Sequence, residues 1–160
     1  ISVFVEGFRA SKMLEWGKGY CEQKAVLLTA LGRAAGIPSR MAFAMMRNHQ
    51  VPEHIVQRLG NNIFPRHGDT EFFLNGRWVS AAATFDRILC EKNGLPTVEF
   101  DGKEDAMLPP ADLTGKPYIE YVEKFPPSDD LPFEWIAEKI MQLVGPEKRP
   151  WLEKNANNTP

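Results

Sequence analysis

Cysteine is scarce in this chain of 160 residues: there are two, Cys21 and Cys90, with no Cys-x-x-Cys pair and no histidine at ligand spacing around either. That spacing argues against a zinc ribbon, and no metal or cofactor is expected. A core of this size needs no disulfide, so two free thiols in a reducing compartment are the expectation. A basic excess is also missing. Nineteen Lys and Arg stand against twenty-one Asp and Glu, for a net charge of -2, which argues against a nucleic-acid partner. No stretch approaches the ~20 apolar residues of a membrane span. The first ten residues carry Glu6 and Arg9 where a signal peptide would need an apolar core, so a cytoplasmic protein with no membrane partner is expected. With 43% hydrophobic and 25% charged residues the composition is globular, and one domain is expected over residues 1–152 with a frayed tail over 153–160.

Residues 21–35, CEQKAVLLTALGRAA, read as a mostly buried helix with Leu27, Leu31 and Ala34 at helical spacing and Glu22, Lys24 and Arg33 turned elsewhere. Gly36 supplies a C-terminal stop and Pro38 prevents continuation. Residues 39–46 read as a strand, and residues 47–65 as a polar loop around a short helix at 52–59. EFFL, Asn75-Gly76 and RWVSAAATF carry the pattern of a two-residue type I′ hairpin, placing two antiparallel strands over residues 67–84. Beyond Cys90 the chain reads as irregular, with a short strand at 97–100. A final amphipathic helix follows at 132–144, with Phe133, Ile136, Ile140 and Val144 on one side.

Cys21 opens the first helix, where free N–H groups and the helix dipole favour a thiolate. Gly17 and Gly19 let a substrate backbone approach, and the Cys21 amide can serve as an oxyanion donor. Three histidines compete as its base. His49 and His54 fall in the loop segment, whereas His67 opens the hairpin strand and is the best placed of the three.

GKGYCEQKAVLLTALGRAAGIPSR, followed by HGDTEFFLNGRWVSAAATFD, resembles the transglutaminase-like domain. The family pattern is Gly-x-Cys, a helix ending in Arg-Ala-x-Gly-Ile-Pro-x-Arg, then His-x-x-x-Glu, a hairpin, and Trp-Val before Asp-Pro-Thr. The likeness covers about residues 10–105, and RNH, LCEKNGLP and VEFDG point to an uncharacterised prokaryotic branch. The resemblance implies an α+β, papain-like fold with the nucleophile helix packed on an antiparallel sheet. It also implies acyl transfer, with Cys21 attacking an amide carbonyl to give a thioester and His67 protonating the leaving amine. Calcium, used by relatives that cross-link proteins, is not expected here, since no Asp-rich loop of regular spacing is present.

The family aspartate falls at Ala82 and its proline at Ala83, leaving Thr84 of that triplet. An Asn75-Gly76 turn pairs Leu74 with Arg77, and counting outward sets Asp69 opposite Ala82 and His67 opposite Thr84 on one face. Asp69, or failing it Thr84, is therefore expected to orient His67, completing a catalytic set of Cys21, His67 and Asp69. Glu71 faces the side of Ser80 and suits a structural hydrogen bond, Arg40 a buried ion pair or cap, and Trp78 and Cys90 the core. His49 and His54 are five apart, not at the i, i+4 spacing of a helical metal pair. The resulting reading is a thiol hydrolase or acyltransferase acting on peptide or isopeptide amides, with a depressed Cys21 pKa. The alternative is a catalytically degenerate, peptide-binding or interaction module with an ordinary thiol.

Overall fold

The computed structural model describes residues 5–144. The expected frayed tail and the end of the proposed domain lie outside that range. A 3-10 turn, Val5–Phe8, leads into helices α1 (Ala10–Trp16) and α2 (Cys21–Ala34). Strand β1 (Ser39–Asn48), helix α3 (Glu53–Leu59) and the hairpin β2 (Ile63–Leu74) and β3 (Arg77–Ala81) follow. Helix α4 (Arg87–Asn93), strand β4 (Ile119–Lys124) and helix α5 (Phe133–Val144) complete the order. The four strands form one antiparallel sheet in the order β3-β2-β1-β4, and α2 packs on it, giving the α+β arrangement of a transglutaminase-like core. No described helix is long and apolar enough to cross a membrane.

The hairpin turns where the Asn-Gly pair sets it. Asn75 and Gly76 both take positive φ, 51° and 82°, and Leu74 pairs with Arg77. The ladder closes at Thr70 and Ala81, one step short of the expected Asp69–Ala82 pair, and the Ala82 amide, facing the outer edge of β3, donates to the Ala106 carbonyl. Strand β2 starts well before the hairpin and runs along β1, so His67 sits mid-strand opposite Ala44 rather than at a strand end.

Helix α2 buries a different side from the one its leucines mark. Glu22, Gln23, Ala25, Thr29 and Gly32 are buried, while Leu31 is half exposed and Ala34 is exposed. The cause is close approach. A Cβ at Gly32 would fall 2.4 Å from the Phe72 ring, and one at Gly68 would fall 2.8 Å from Glu22 Cα. At those two positions only glycine fits, and the polar atoms of the interface pair across it. Thr70 Oγ1 donates to the Ala25 carbonyl at 3.1 Å, which leaves Thr29 as donor to Thr70 at 3.1 Å. The larger apolar residues pack further along. Phe8, Ala25, Met41, Phe43 and Ile136 form one cluster, with Trp135 edge-on to Phe43 and Phe125. Cys90 of α4 lies buried in a second cluster with Met46, Ala82, Leu108 and Ile119.

Three further expectations are corrected. Residues 97–100 form no strand; β4, twenty residues later, is the strand that completes the sheet. Helix α4 occupies part of the stretch expected to be irregular, capped by Asp86 Oδ1, which accepts from the Leu89 amide, and ended by Gly94 at φ 65°. Trp78 is half exposed rather than in the core, with the Arg40 guanidinium 3.9 Å above its ring and Phe73 beside it.

Candidate active site

Cys21 is the first residue of α2, and the last turn before it is held by Gln23, whose Oε1 accepts from the Tyr20 amide while its Nε2 donates to the Gly7 carbonyl. The first turn of the helix rests on Gly68, so Cys21 and Glu22 sit against the middle of β2. There the thiol and the His67 ring lie close enough to act on one another's charge. His67 is fully buried, and its Nε2 lies 3.0 Å from Asp69 Oδ1 in an ion-pair contact off the axis of a straight hydrogen bond. Thr84 Oγ1 is 3.5 Å from the same nitrogen, at the outer limit of a hydrogen bond. Nδ1 makes no geometrically complete hydrogen bond to another described residue.

The expected trio of Cys21, His67 and Asp69 is thus brought together, with Asp69 closer to the imidazole than Thr84. The other histidines are elsewhere. His49 Nε2 is 3.2 Å from Glu120 Oε2 at an exposed position, and His54 is exposed on α3. Among the described residues no group of His, Cys, Asp and Glu has the geometry to hold a metal ion. Glu71 accepts from Arg40 Nε at 2.6 Å, a half-buried ion pair one strand repeat along β2 from Asp69. Both cysteines are free thiols.

Three neighbours of the trio carried no signal in the chain. Tyr121, on β4, stands edge-on to the His67 ring at 5.9 Å between centroids, and burial, helped by the Asp69 charge, pushes its hydroxyl up. Glu22 and Arg66 form a buried ion pair, Glu22 Oε1 to Arg66 Nη1, alongside the cysteine. Glu22 Oε2 accepts a 2.9 Å hydrogen bond from the Cys21 thiol. A charged residue next to a nucleophile was visible in the sequence, but its burial depended on the close α2–β2 approach.

The electrostatics follow from these contacts. Burial and then the Glu22 carboxylate push the Cys21 thiol up, and His67 offsets them only in part. The expected depressed thiol pKa is therefore corrected, because the sulfur is buried and Glu22 turns inward beside it. Burial pulls His67 down, but its pairing with Asp69 and with Cys21 outweighs that, and the imidazole is pushed up to about 10. The Asp69 contact thus favours the charged imidazolium. Beside the start of α2 opens a cavity of about 210 Å³, mostly apolar, bordered by Met13, Leu14, Gly17, Gly19 and Leu27 with Lys18 and Lys24.

An antiparallel sheet carrying an imidazole and a carboxylate beside a helix that begins with cysteine defines a papain-like class of architecture. A family model for the transglutaminase-like superfamily matches residues 4–83, half of the chain and the part that holds Cys21, His67 and Asp69. The chain belongs to the transglutaminase-like superfamily. No curated protein and no solved structure matches it.

Proposed function

We propose that the protein transfers or hydrolyses acyl groups of peptide or isopeptide amides through a thioester on Cys21. The observation that carries this reading is a fully buried His67, 3.0 Å from Asp69 through Nε2, that favours the Cys21 thiolate. The reaction runs from the fraction in which Cys21 is thiolate and His67 imidazolium. The sulfur attacks the carbonyl carbon, the C–N bond breaks, and His67 gives its proton to the leaving nitrogen. Water or a second amine, losing a proton to the now neutral His67, then attacks the thioester and returns the thiolate. Asp69 holds the ring in place and supports its positive charge in both steps. The mostly apolar cavity beside Gly17 and Gly19 offers room for a substrate side chain next to the nucleophile.

An activated ester such as p-nitrophenyl acetate tests this without the natural amide. The expected result is one acetyl group on Cys21, seen by intact mass and peptide mapping, that forms in a burst and turns over. Formation slows strongly in His67→Ala. If Cys21 is acetylated no faster than Cys90, or no faster than in His67→Ala, the acyl-transfer reading fails and the interaction-module alternative takes its place.

A further inference from the structure

We propose that Glu22 is a latch on the nucleophile: it holds the Cys21 thiol as its hydrogen-bond donor in the resting protein, so that the sulfur pairs fully with His67 only when that bond is broken. The inference rests on the acyl-transfer reading for the identity of Cys21 as nucleophile, and adds a control that the reading does not contain.

Glu22 is a positioning residue by its place. Its side chain is almost entirely buried and its two oxygens are divided between two partners, Oε1 on Arg66 and Oε2 on the Cys21 thiol. Arg66 is itself buried, it meets Glu22 through Nη1, and its Nε has no partner among the described residues. A buried Arg–Glu pair contributes little to stability compared with an apolar replacement, and its retention beside a sulfur nucleophile calls for another reason. Glu22 cannot swing away at low cost, because its Cα, Cβ and Cγ lie against Gly68. The thiol therefore has two competing neighbours, a fixed carboxylate on its own helix and an imidazole on β2.

The charged and titratable groups around the sulfur come from three elements and one turn. Glu22 lies on α2, Arg66, His67 and Asp69 on β2, Tyr121 on β4, and Tyr20 in the turn before α2. Of these, Glu22 is the carboxylate that accepts directly from the thiol, at 2.9 Å. It favours the protonated sulfur. His67 favours the thiolate.

The test is the pH dependence of iodoacetamide alkylation at Cys21, with Cys90 mapped separately as internal control. In Glu22→Gln the alkylation midpoint falls by at least one pH unit, which raises the rate at pH 7 about tenfold or more. Because that variant also leaves Arg66 unopposed, the deciding protein is Glu22→Gln combined with Arg66→Met, in which the pair is removed without net change of charge. The midpoint stays below that of the parent there if the carboxylate acts by its contact with the thiol. A midpoint equal to or above the parent in the double variant overturns the proposal. Should neither variant fold, the S–H stretching band of the Cys90→Ala protein decides the question with Glu22 intact. A band shifted to the frequency of a hydrogen-bonded thiol supports the latch, and the frequency of a free thiol overturns it. Acetylation by p-nitrophenyl acetate, scored on the same samples, judges the acyl-transfer reading separately, since alkylation requires no acyl chemistry.

Discussion

Replacing Gly68 by alanine puts one methyl group into the tightest contact between α2 and β2 backbone. The added carbon would stand 2.8 Å from Glu22 Cα and 3.2 Å from its Cγ. Carbon atoms rest about 3.5–4.0 Å apart, so the first turn of α2 has to retreat by about 1 Å. The nearest atom is backbone, which rules out relief by a side-chain rotation. Overpacking of this kind costs about 1–3 kcal/mol, and alanine returns about 0.5–1 kcal/mol by stiffening the unfolded chain and suiting a strand. A net loss of about 1–2 kcal/mol is expected in urea unfolding. The functional effect is larger than the loss of stability, because Cys21 is carried on the turn that moves while His67 stays on β2. A misplacement of about 1 Å between reacting groups costs about 100-fold in rate. The assay is burst acetylation of Cys21 at a temperature where the variant is fully folded. A Gly68→Ala protein as stable as the parent, with Cys21 acetylated at the parental rate, would refute the claim that this glycine sets the distance between the two elements.

Asp69→Asn removes the partner that holds His67 charged, and the pH dependence of stability should change with it. The folded pKa near 10 lies above the ~6.5 of an unfolded histidine. The pair therefore stabilises fully below about pH 6.5 and loses that contribution as pH rises toward 10. Thermal unfolding between pH 6.5 and 8.5 should show the decline in the parent and a flatter profile in the variant; parallel profiles would contradict the assignment. The same substitution slows Cys21 acetylation by about 100-fold or more, whereas Thr84→Val, at a contact of 3.5 Å, costs less than about threefold; the reverse order would make Thr84 the orienting group. Arg40→Met breaks the ion pair with Glu71 and the contact with Trp78, for about 1–2 kcal/mol in denaturant unfolding. The pair shares the face of Asp69 on β2, but neither residue acts on the Cys21 thiol, so Cys21 alkylation should be unchanged. Ile136→Ala empties a fully buried position against Phe8 and Phe43 and should cost about 2–5 kcal/mol in the same assay. A loss under about 1 kcal/mol would mean that α5 is not part of the core.

What could be read from the chain divides along the range of the interactions involved. The hairpin register was legible because Asn75-Gly76 specifies it within four residues, and with it the i, i+2 placement of His67 and Asp69 on β2. The start of α2 at Cys21 was legible because Gly19 precedes it and Gly36, at φ 77°, ends it. The buried side of α2 was not. Spacing of large apolar residues marked Leu27 and Leu31, but Gly32 seats the Phe72 ring and Gly68 seats the backbone of Glu22, so the face carrying Glu22, Ala25, Thr29 and Gly32 turns to β2. Glu22 is inside for that reason, and the thiol's environment changed sign with it. Strand β4 escaped notice because Glu120, Glu123 and Lys124 break its apolar pattern and its pairing with β1 spans the middle of the chain. Tyr121 was lost with it. Helix α4 was a different case, since Asp86 and Gly94 were adequate cap signals on either side of a short, locally specified turn of chain.

Those same charges on β4 bear on how the molecule behaves in company. A sheet of four strands has two borders where unpaired peptide groups can recruit another chain, and here each is blocked by a different device. Along β3 the Asp105 carboxylate takes the Ser80 amide and Ala106 exchanges backbone bonds with Ser80 and Ala82, so the border is already occupied. Along β4 the exposed Glu120, Glu123 and Lys124 make a second copy of the strand an unfavourable neighbour. At high concentration the folded protein should therefore resist growth by strand addition into fibres, with the acidic border of β4 as the barrier that low pH would weaken first.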